Sequence, residues 1–161
     1  MMATQLAEKD ARALCTNCGI PLDARHFDES GIADLTQPGL GRDVVLASFQ
    51  LPPQYCGELQ YFAQFSDAFA KDNSQIATPG LRWLILVDER PLYPYLDIEW
   101  ILNPWGYGSF PFRVRLDEGT NIQFLVRQDS GAPGNVKSVG GRIAGRYWYN
   151  PAYGDVRRSR L

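Results

Sequence analysis

The sequence predicts an all-β protein, an antiparallel β-sandwich that is jelly-roll-like. Residues 44–150 contain seven or eight short segments in which apolar and polar side chains alternate, as in strands that bury one face. Turns rich in glycine and proline separate these segments roughly every 8–15 residues, a spacing typical of sandwiches. Aromatic residues make up 12% of the chain beside 15 glycines and 11 prolines, a composition that favours strands and turns over helices.

The first half of this region holds three predicted strands. Residues 44–51 form the first, which stops at a pair of prolines, and residues 55–65 form the second. A long polar loop, residues 66–80, follows. The third strand, Leu81–Val87, has the clearest alternation, because its odd-numbered residues share one apolar face.

The next segments predict a hairpin and a return strand. Residues 88–91 read as a tight turn, although they lack the Asn-Gly or Asp-Gly pair that favours such turns. Residues 92–102 return as a strand, and Pro94 confines that end of it to a sheet edge or a bulge. Residues 103–109 form a loop of glycine, proline and aromatic residues.

The last segments predict three further strands. Phe110–Leu116 and Asn121–Gln128 flank a turn at residues 117–120. A polar loop, residues 129–138, precedes the final strand, which ends at Tyr149.

The chain divides into three parts. At 161 residues it is long enough for one domain with extensions. Residues 1–43 show no apolar alternation and predict an N-terminal arm that lies on its own domain, lies on a neighbour or is disordered. Residues 44–150 form the sandwich domain, and residues 151–161 form a basic C-terminal tail.

Composition and charge exclude several classes of partner. The net charge of −2 gives no reason to expect nucleic acid. The sequence contains no run of 18 apolar residues, so it predicts no membrane-spanning helix. The first residues lack the basic and apolar regions of a secretory signal, so we expect synthesis in the cytoplasm without a signal peptide.

The sharpest local motif is a pair of cysteines, Cys15 and Cys18, followed by Gly19. This spacing lets two thiolates bind one zinc ion. A structural zinc site has four ligands, and the other Cys and His residues are His26 and Cys56, whose spacing fits no standard finger. A zinc-stabilised adaptor that uses Cys15, Cys18 and either of these residues therefore stays an alternative to two reduced cysteines in an arm without a cofactor.

The predicted sandwich offers little catalytic chemistry. Residues 44–150 contain no histidine and one cysteine, so no serine triad arises there. Most of the carboxylates fall in predicted turns, while Asp97 and Glu99 share one face of a strand that we interpret as its solvent side. We therefore expect a protein that is not an enzyme.

Two features predict contacts with partners. Trp105 and Tyr107 lie in the aromatic loop, and we expect them to dock on a protein, with stacking on a glycan as the alternative. Near the C-terminus, Arg157, Arg158 and Arg160 suit contact with an acidic partner surface, with nucleic acid and a solvated tail as the alternatives.

Four segments together resemble small β-sandwich structural proteins of tailed bacteriophage virions. The first is Phe-Gln-Leu-Pro-Pro-Gln-Tyr-Cys-Gly at residues 49–57, and the second is the strand at residues 81–88 with its proline-bearing return. The third is the Arg-Leu-x-x-Gly-Thr turn and the strand that it begins, residues 115–126. The fourth is Gly-Arg-Ile-Ala-Gly-Arg-Tyr-Trp-Tyr at residues 141–149. Residues 1–43 lie outside the resemblance.

The resemblance implies a non-enzymatic virion component. It would be a capsid decoration or cement protein, or part of the head–tail or collar assembly. Its partners would be further copies of itself, as a homo-oligomer, and other virion proteins. It would be made in the host cytoplasm and located in the virion. A carbohydrate-binding sandwich module is the alternative.

Overall fold

In the computed structural model, the protein forms two four-stranded antiparallel sheets that pack face to face. The structure describes Leu14 and residues 19–36, 42–67, 81–92, 110–128 and 136–150, with the backbone alone at residues 110–112. The predicted antiparallel β-sandwich is confirmed.

Within the described residues, eight strands make up the two sheets. They are β1 (Arg25–Asp34), β2 (Asp43–Gln50), β3 (Tyr55–Ser66), β4 (Leu81–Val87), β5 (Arg90–Pro91), β6 (Phe110–Leu116), β7 (Asn121–Gln128) and β8 (Ser138–Tyr149). The first sheet has the order β1-β8-β3-β6, and the second has the order β2-β7-β4-β5.

The strand pairing is nested. β1 pairs with β8, β2 with β7, β3 with β6 and β4 with β5, all antiparallel. The four pairs lie in succession along one long hairpin of the chain. This hairpin folds over on itself, so that β3 also pairs with β8 and β4 also pairs with β7. This arrangement of eight strands in two sheets is a jelly roll, which confirms the jelly-roll-like form.

One strand lies where the sequence analysis predicted an arm. β1 pairs with β8 over its whole length, so the assignment of residues 25–34 to an extended arm is wrong. β1 is an edge strand, and of its ten residues Phe27 alone is buried. A strand with a single buried side chain shows no apolar alternation, which is why the pattern missed it. The tail at residues 151–161 lies outside the described residues.

The core lies between the sheets and is built on aromatic rings. Trp83 and Phe62 both pack against Phe124, with ring centroids 6.0 and 6.2 Å away. All three side chains are fully buried, and aliphatic side chains from both sheets surround them. The shared apolar face predicted for the odd-numbered residues of β4 is confirmed, and it points inward, since Leu81 and Ile85 are also buried in this cluster.

The hairpin turn predicted at residues 88–91 is present but shorter than predicted, because Arg90–Pro91 form β5 and only two residues make the turn. Asp88 and Glu89 have φ of 50° and 66°, so both adopt the left-handed conformation of a type I′ turn. The Asp88 carboxylate stabilises the turn by accepting a hydrogen bond of 2.8 Å from the backbone N–H of Asn121. An aspartate can therefore occupy a turn that usually contains asparagine or glycine.

Short connections at one end of the sandwich bond to one another. The N–H of Leu51 donates to the carbonyl of Thr120, and the N–H of Gln54 donates to the Glu118 carboxylate. At the opposite end, Asp67 accepts from the backbone N–H groups of Lys137 and Ser138. At the first end these bonds join the β2–β3 connection to the β6–β7 connection. At the opposite end they join the end of β3 to the start of β8.

Candidate interaction face

The outer surface of the first sheet presents a face of three strands by three rows. β8 lies in the middle, flanked by β1 and β3, and the register places equivalent residues side by side. From the end near Asp67, the rows of this nine-residue face are Ile32–Gly140–Phe65, Ser30–Arg142–Ala63 and Asp28–Ala144–Tyr61. The residues between these rows, such as Ile143 and Phe62, point into the core.

Three large hydrophobic side chains on this face are exposed to solvent. Ile32 is 79% exposed, and Phe65 and Tyr61 are each 45% exposed. On the outer face of the second sheet, by contrast, Leu84 and Leu125 are opposite each other and buried. Contiguous exposed apolar surface on a soluble domain marks an interaction site more often than isolated exposed residues do.

Gly140 opens a groove between two of these side chains. A Cβ atom at Gly140 would lie 3.4 Å from Cγ1 of Ile32 and 3.7 Å from Cβ of Phe65, so all three residues share one surface. The open groove has a volume of about 490 Å³, and Ser30 and Arg142 also line it. Its walls are therefore mainly apolar, with one guanidinium group.

An ion pair fixes that guanidinium. Nε of Arg142 donates to Oδ1 of Asp28 at 2.7 Å, and Nη2 donates to Oδ2. The hydrogen bonds from Arg142, with its positive charge, lower the pKa of the Asp28 carboxyl group, and Asp28 in turn raises the pKa of Arg142. Both side chains are well exposed, so water screens the pair and its main effect is to orient Arg142.

A bulge in β3 brings the aromatic residues to the outer face. The pairing of β3 with both neighbours shifts between Leu59 and Tyr61. Before the shift Leu59 points inward, and after it Phe62 points inward while Tyr61 and Phe65 point outward. A bulge adds one residue to a strand and reverses the alternation beyond it.

A second aromatic feature runs from the core to the surface at the end with the short connections. The neighbouring ring centroids in this aromatic chain are 4.2 Å apart for Phe27–Phe49, 5.5 Å for Phe49–Tyr147, 5.6 Å for Tyr147–Tyr55 and 6.0 Å for Tyr55–Tyr149. Cζ of Arg25 lies 5.9 Å from the centroid of the Tyr55 ring, within the range of a cation–π contact. The rings face mostly one another, and Tyr149 is the exposed end.

The partner-binding residues predicted from sequence lie outside the described residues. They are Trp105, Tyr107, Arg157, Arg158 and Arg160. Their role therefore stays a prediction.

The predicted zinc ligands are described only in part. Cys15 and Cys18 lie outside the described residues, while Cys56 is buried on β3 and His26 is exposed on β1. β8 separates these two strands, which places their backbones about 10 Å apart. In the part of the chain that the structure describes, no cluster of three or more Cys, His, Asp or Glu side chains could hold a metal. Metal analysis of the purified protein tests the zinc prediction, with one bound zinc per chain as the supporting result.

Sequence reasoning did not find the nine-residue face. Finding it requires β1, whose single buried residue hides the strand, and the bulge in β3. The available signal was the adjacent pair Tyr61 and Phe62, which breaks the alternation within a predicted strand. Such a break is the mark of a bulge.

No protein-family model matches the chain, and no curated protein or solved structure is significantly similar to it. Across the described ranges, no helix is long and apolar enough to cross a membrane.

Proposed function

We propose that the chain is a structural protein of a virion, of the kind found in tailed bacteriophages, and that it acts through protein–protein contacts rather than catalysis. The observation that carries the proposal is the nested strand order, because jelly rolls of this order form viral capsid domains. This support is an analogy of fold, and the sequence resemblance over residues 44–150 adds to it.

The exposed face supports a role in assembly. A rigid sheet that displays Ile32, Phe65 and Tyr61 to solvent offers a partner an apolar surface whose backbone is already hydrogen-bonded. Binding there costs little ordering of the chain, since both neighbouring strands hold β8 in register. Within a virion this suits a decoration or cement protein, or a component of the head–tail or collar assembly.

Particle fractionation tests the proposal. Particles from cells that make the protein are separated on a density gradient, and the chain is quantified by mass spectrometry. We expect the chain to co-sediment with nuclease-resistant particles in a fixed ratio to the major capsid protein. A chain that stays monomeric and is absent from particles would contradict the proposal, as would a hydrolase activity that is abolished by mutating one carboxylate.

Carbohydrate binding is the second candidate, because jelly rolls also form lectin domains and the aromatic chain ends at the exposed Tyr149. Glycan arrays on the wild type, Tyr149→Ala and Trp105→Ala separate the two functions. A glycan that binds the wild type and is lost in either variant supports this candidate. Binding to no glycan removes it and leaves the virion proposal standing.

A further inference from the structure

We propose that the nine-residue face binds a segment of a partner protein in which an apolar side chain stands beside a carboxylate. The inference rests on the proposed assembly role and adds the chemistry of the partner. The apolar side chain enters the groove over Gly140, and the carboxylate accepts a hydrogen bond from Arg142.

The apolar part of the segment is specified by the groove. Ile32 and Phe65 stand on either side of Gly140, which has no side chain to fill the space between them. The neighbouring positions on the floor, Ser30 and Ala63, are also small. A leucine or phenylalanine side chain placed there would cover both exposed walls at once, which is the arrangement of an anchor residue in a pocket.

The carboxylate is specified by Arg142. This residue lines the groove, whereas its ion-pair partner Asp28 does not. Asp28 accepts from Nε and Nη2, and among the described residues Nη1 has no acceptor. A guanidinium group has five N–H donors, so it can keep Asp28 and still donate to a second carboxylate.

Charge argues against a second copy of this chain as the occupant. Arg142 is the central residue of the nine-residue face. A two-fold axis through the centre of the face would bring Arg142 against the Arg142 of the other copy. Like charges placed together in an interface oppose association, and the Asp28 carboxylate beside each Arg142 offsets only part of this repulsion.

Area also argues for a short segment. Three strands spaced about 4.8 Å apart, with three rows over about 20 Å of strand, cover roughly 300 Å². A stable dimer buries about 800 Å² on each partner. The face is therefore large enough for one extended segment and too small to hold two folded domains together alone.

Selection from a displayed library of random short peptides tests the inference on the purified full chain. We expect the selected sequences to share an apolar residue within two positions of Asp or Glu. The synthetic consensus peptide is then measured by calorimetry against the wild type, Ile32→Ser and Gly140→Ala. We expect the dissociation constant of the peptide to be roughly tenfold larger for Ile32→Ser than for the wild type. Gly140→Ala should weaken binding as well, because its methyl group enters the groove at ordinary contact distance and removes no apolar surface.

Two controls separate the groove from general stickiness and from misfolding. Val45→Ser removes an exposed apolar side chain from β2, in the other sheet, and should leave binding unchanged. Near-ultraviolet circular dichroism of each variant checks the fold. A peptide with its carboxylate changed to the amide should bind the wild type more weakly, and should lose nothing further on Arg142→Gln.

Several outcomes overturn the inference. These are selected peptides without an acidic residue, binding that Ile32→Ser and Gly140→Ala leave unchanged, and selection of no peptide. Self-association that Ile32→Ser abolishes in native mass spectrometry would assign the face to a second copy instead. Each result concerns the face alone, because the presence of the chain in particles is measured separately.

Discussion

At the residue scale, the effect of a side chain depends on which face of its strand it occupies. Neighbouring glycines of β8 show this. A Cβ atom at Gly141 would lie 2.5 Å from a ring carbon of Phe124 in the core, whereas a Cβ atom at Gly140 would meet its nearest neighbours, on the outer side, at 3.4 Å. The same substitution to alanine is therefore disruptive at Gly141 and tolerated at Gly140.

The Arg142–Asp28 ion pair gives a prediction at this scale. We expect the pKa of Asp28 to lie below its ordinary value of 3.8 and to return toward it in Arg142→Gln, because the hydrogen bonds from Arg142 stabilise the carboxylate. Carboxyl carbon chemical shifts followed over an acid titration measure this.

Asp34 is the control, since hydrogen bonds from Thr36 lower its pKa independently of Arg142. A lowered pKa in the fold means that the pair stabilises the protein above the unfolded carboxyl pKa. That contribution disappears as the pH falls through the folded pKa. An unchanged Asp28 titration in Arg142→Gln would show that the pair does not form in solution.

The turn at Asp88 and Glu89 gives the second prediction. Glu89→Gly should stabilise the protein by about 0.5–1 kcal/mol, because φ of 66° is strained for glutamate and the change creates the Asp-Gly pair favoured in type I′ turns. Urea unfolding followed by tryptophan fluorescence measures it.

Gly119→Ala is the matched control. Gly119 has φ of 74° in the neighbouring connection, so this opposite substitution should destabilise by about 1 kcal/mol. A loss of stability in Glu89→Gly would contradict the turn geometry.

At the element scale, the sequence predicts the strands that have a clear apolar pattern and definite turns at their ends, but it does not predict the edge strand β1. The predicted bounds of β4, β6 and β7 agree with the structure. Turn residues mark the ends of these strands, and β4 and β7 bury several apolar side chains each. β1 was missed because ten residues with one buried side chain look like a polar segment. The register of β3 was also beyond reach, since the bulge is decided by packing.

Phe27 tests whether β1 belongs to the domain. It is buried and stacks on Phe49, with ring planes 3° apart, so Phe27→Ala should destabilise by about 3–5 kcal/mol. The neighbouring His26 is exposed, and His26→Ala should change the free energy of unfolding by less than about 0.5 kcal/mol. Chemical denaturation of both variants measures the difference. Equal free energies of unfolding for Phe27→Ala and His26→Ala would indicate that residues 25–34 are an arm and not part of the domain.

At the scale of the whole molecule, the nested pairing makes most contacts distant in sequence. β1 pairs with β8 and β2 with β7, which are separated by most of the chain. All-β domains of this kind fold slowly, because long loops must close before their pairings contribute.

We therefore expect refolding in milliseconds to seconds after dilution from denaturant, the range of all-β domains. Stopped-flow fluorescence follows it, because Trp83 is fully buried in the core. Refolding within microseconds would be incompatible with the nested strand order.

The pairing of β1 with β8 also has a consequence during synthesis on the ribosome. Chain growth delivers β1 first and β8 last among the eight strands, and β8 is the central partner of both β1 and β3. Until β8 leaves the exit tunnel, β1 has no partner in its sheet and β3 has only β6. The nascent chain therefore carries incomplete sheet edges for most of its translation, and a chaperone that protects such edges would act before the last strand emerges.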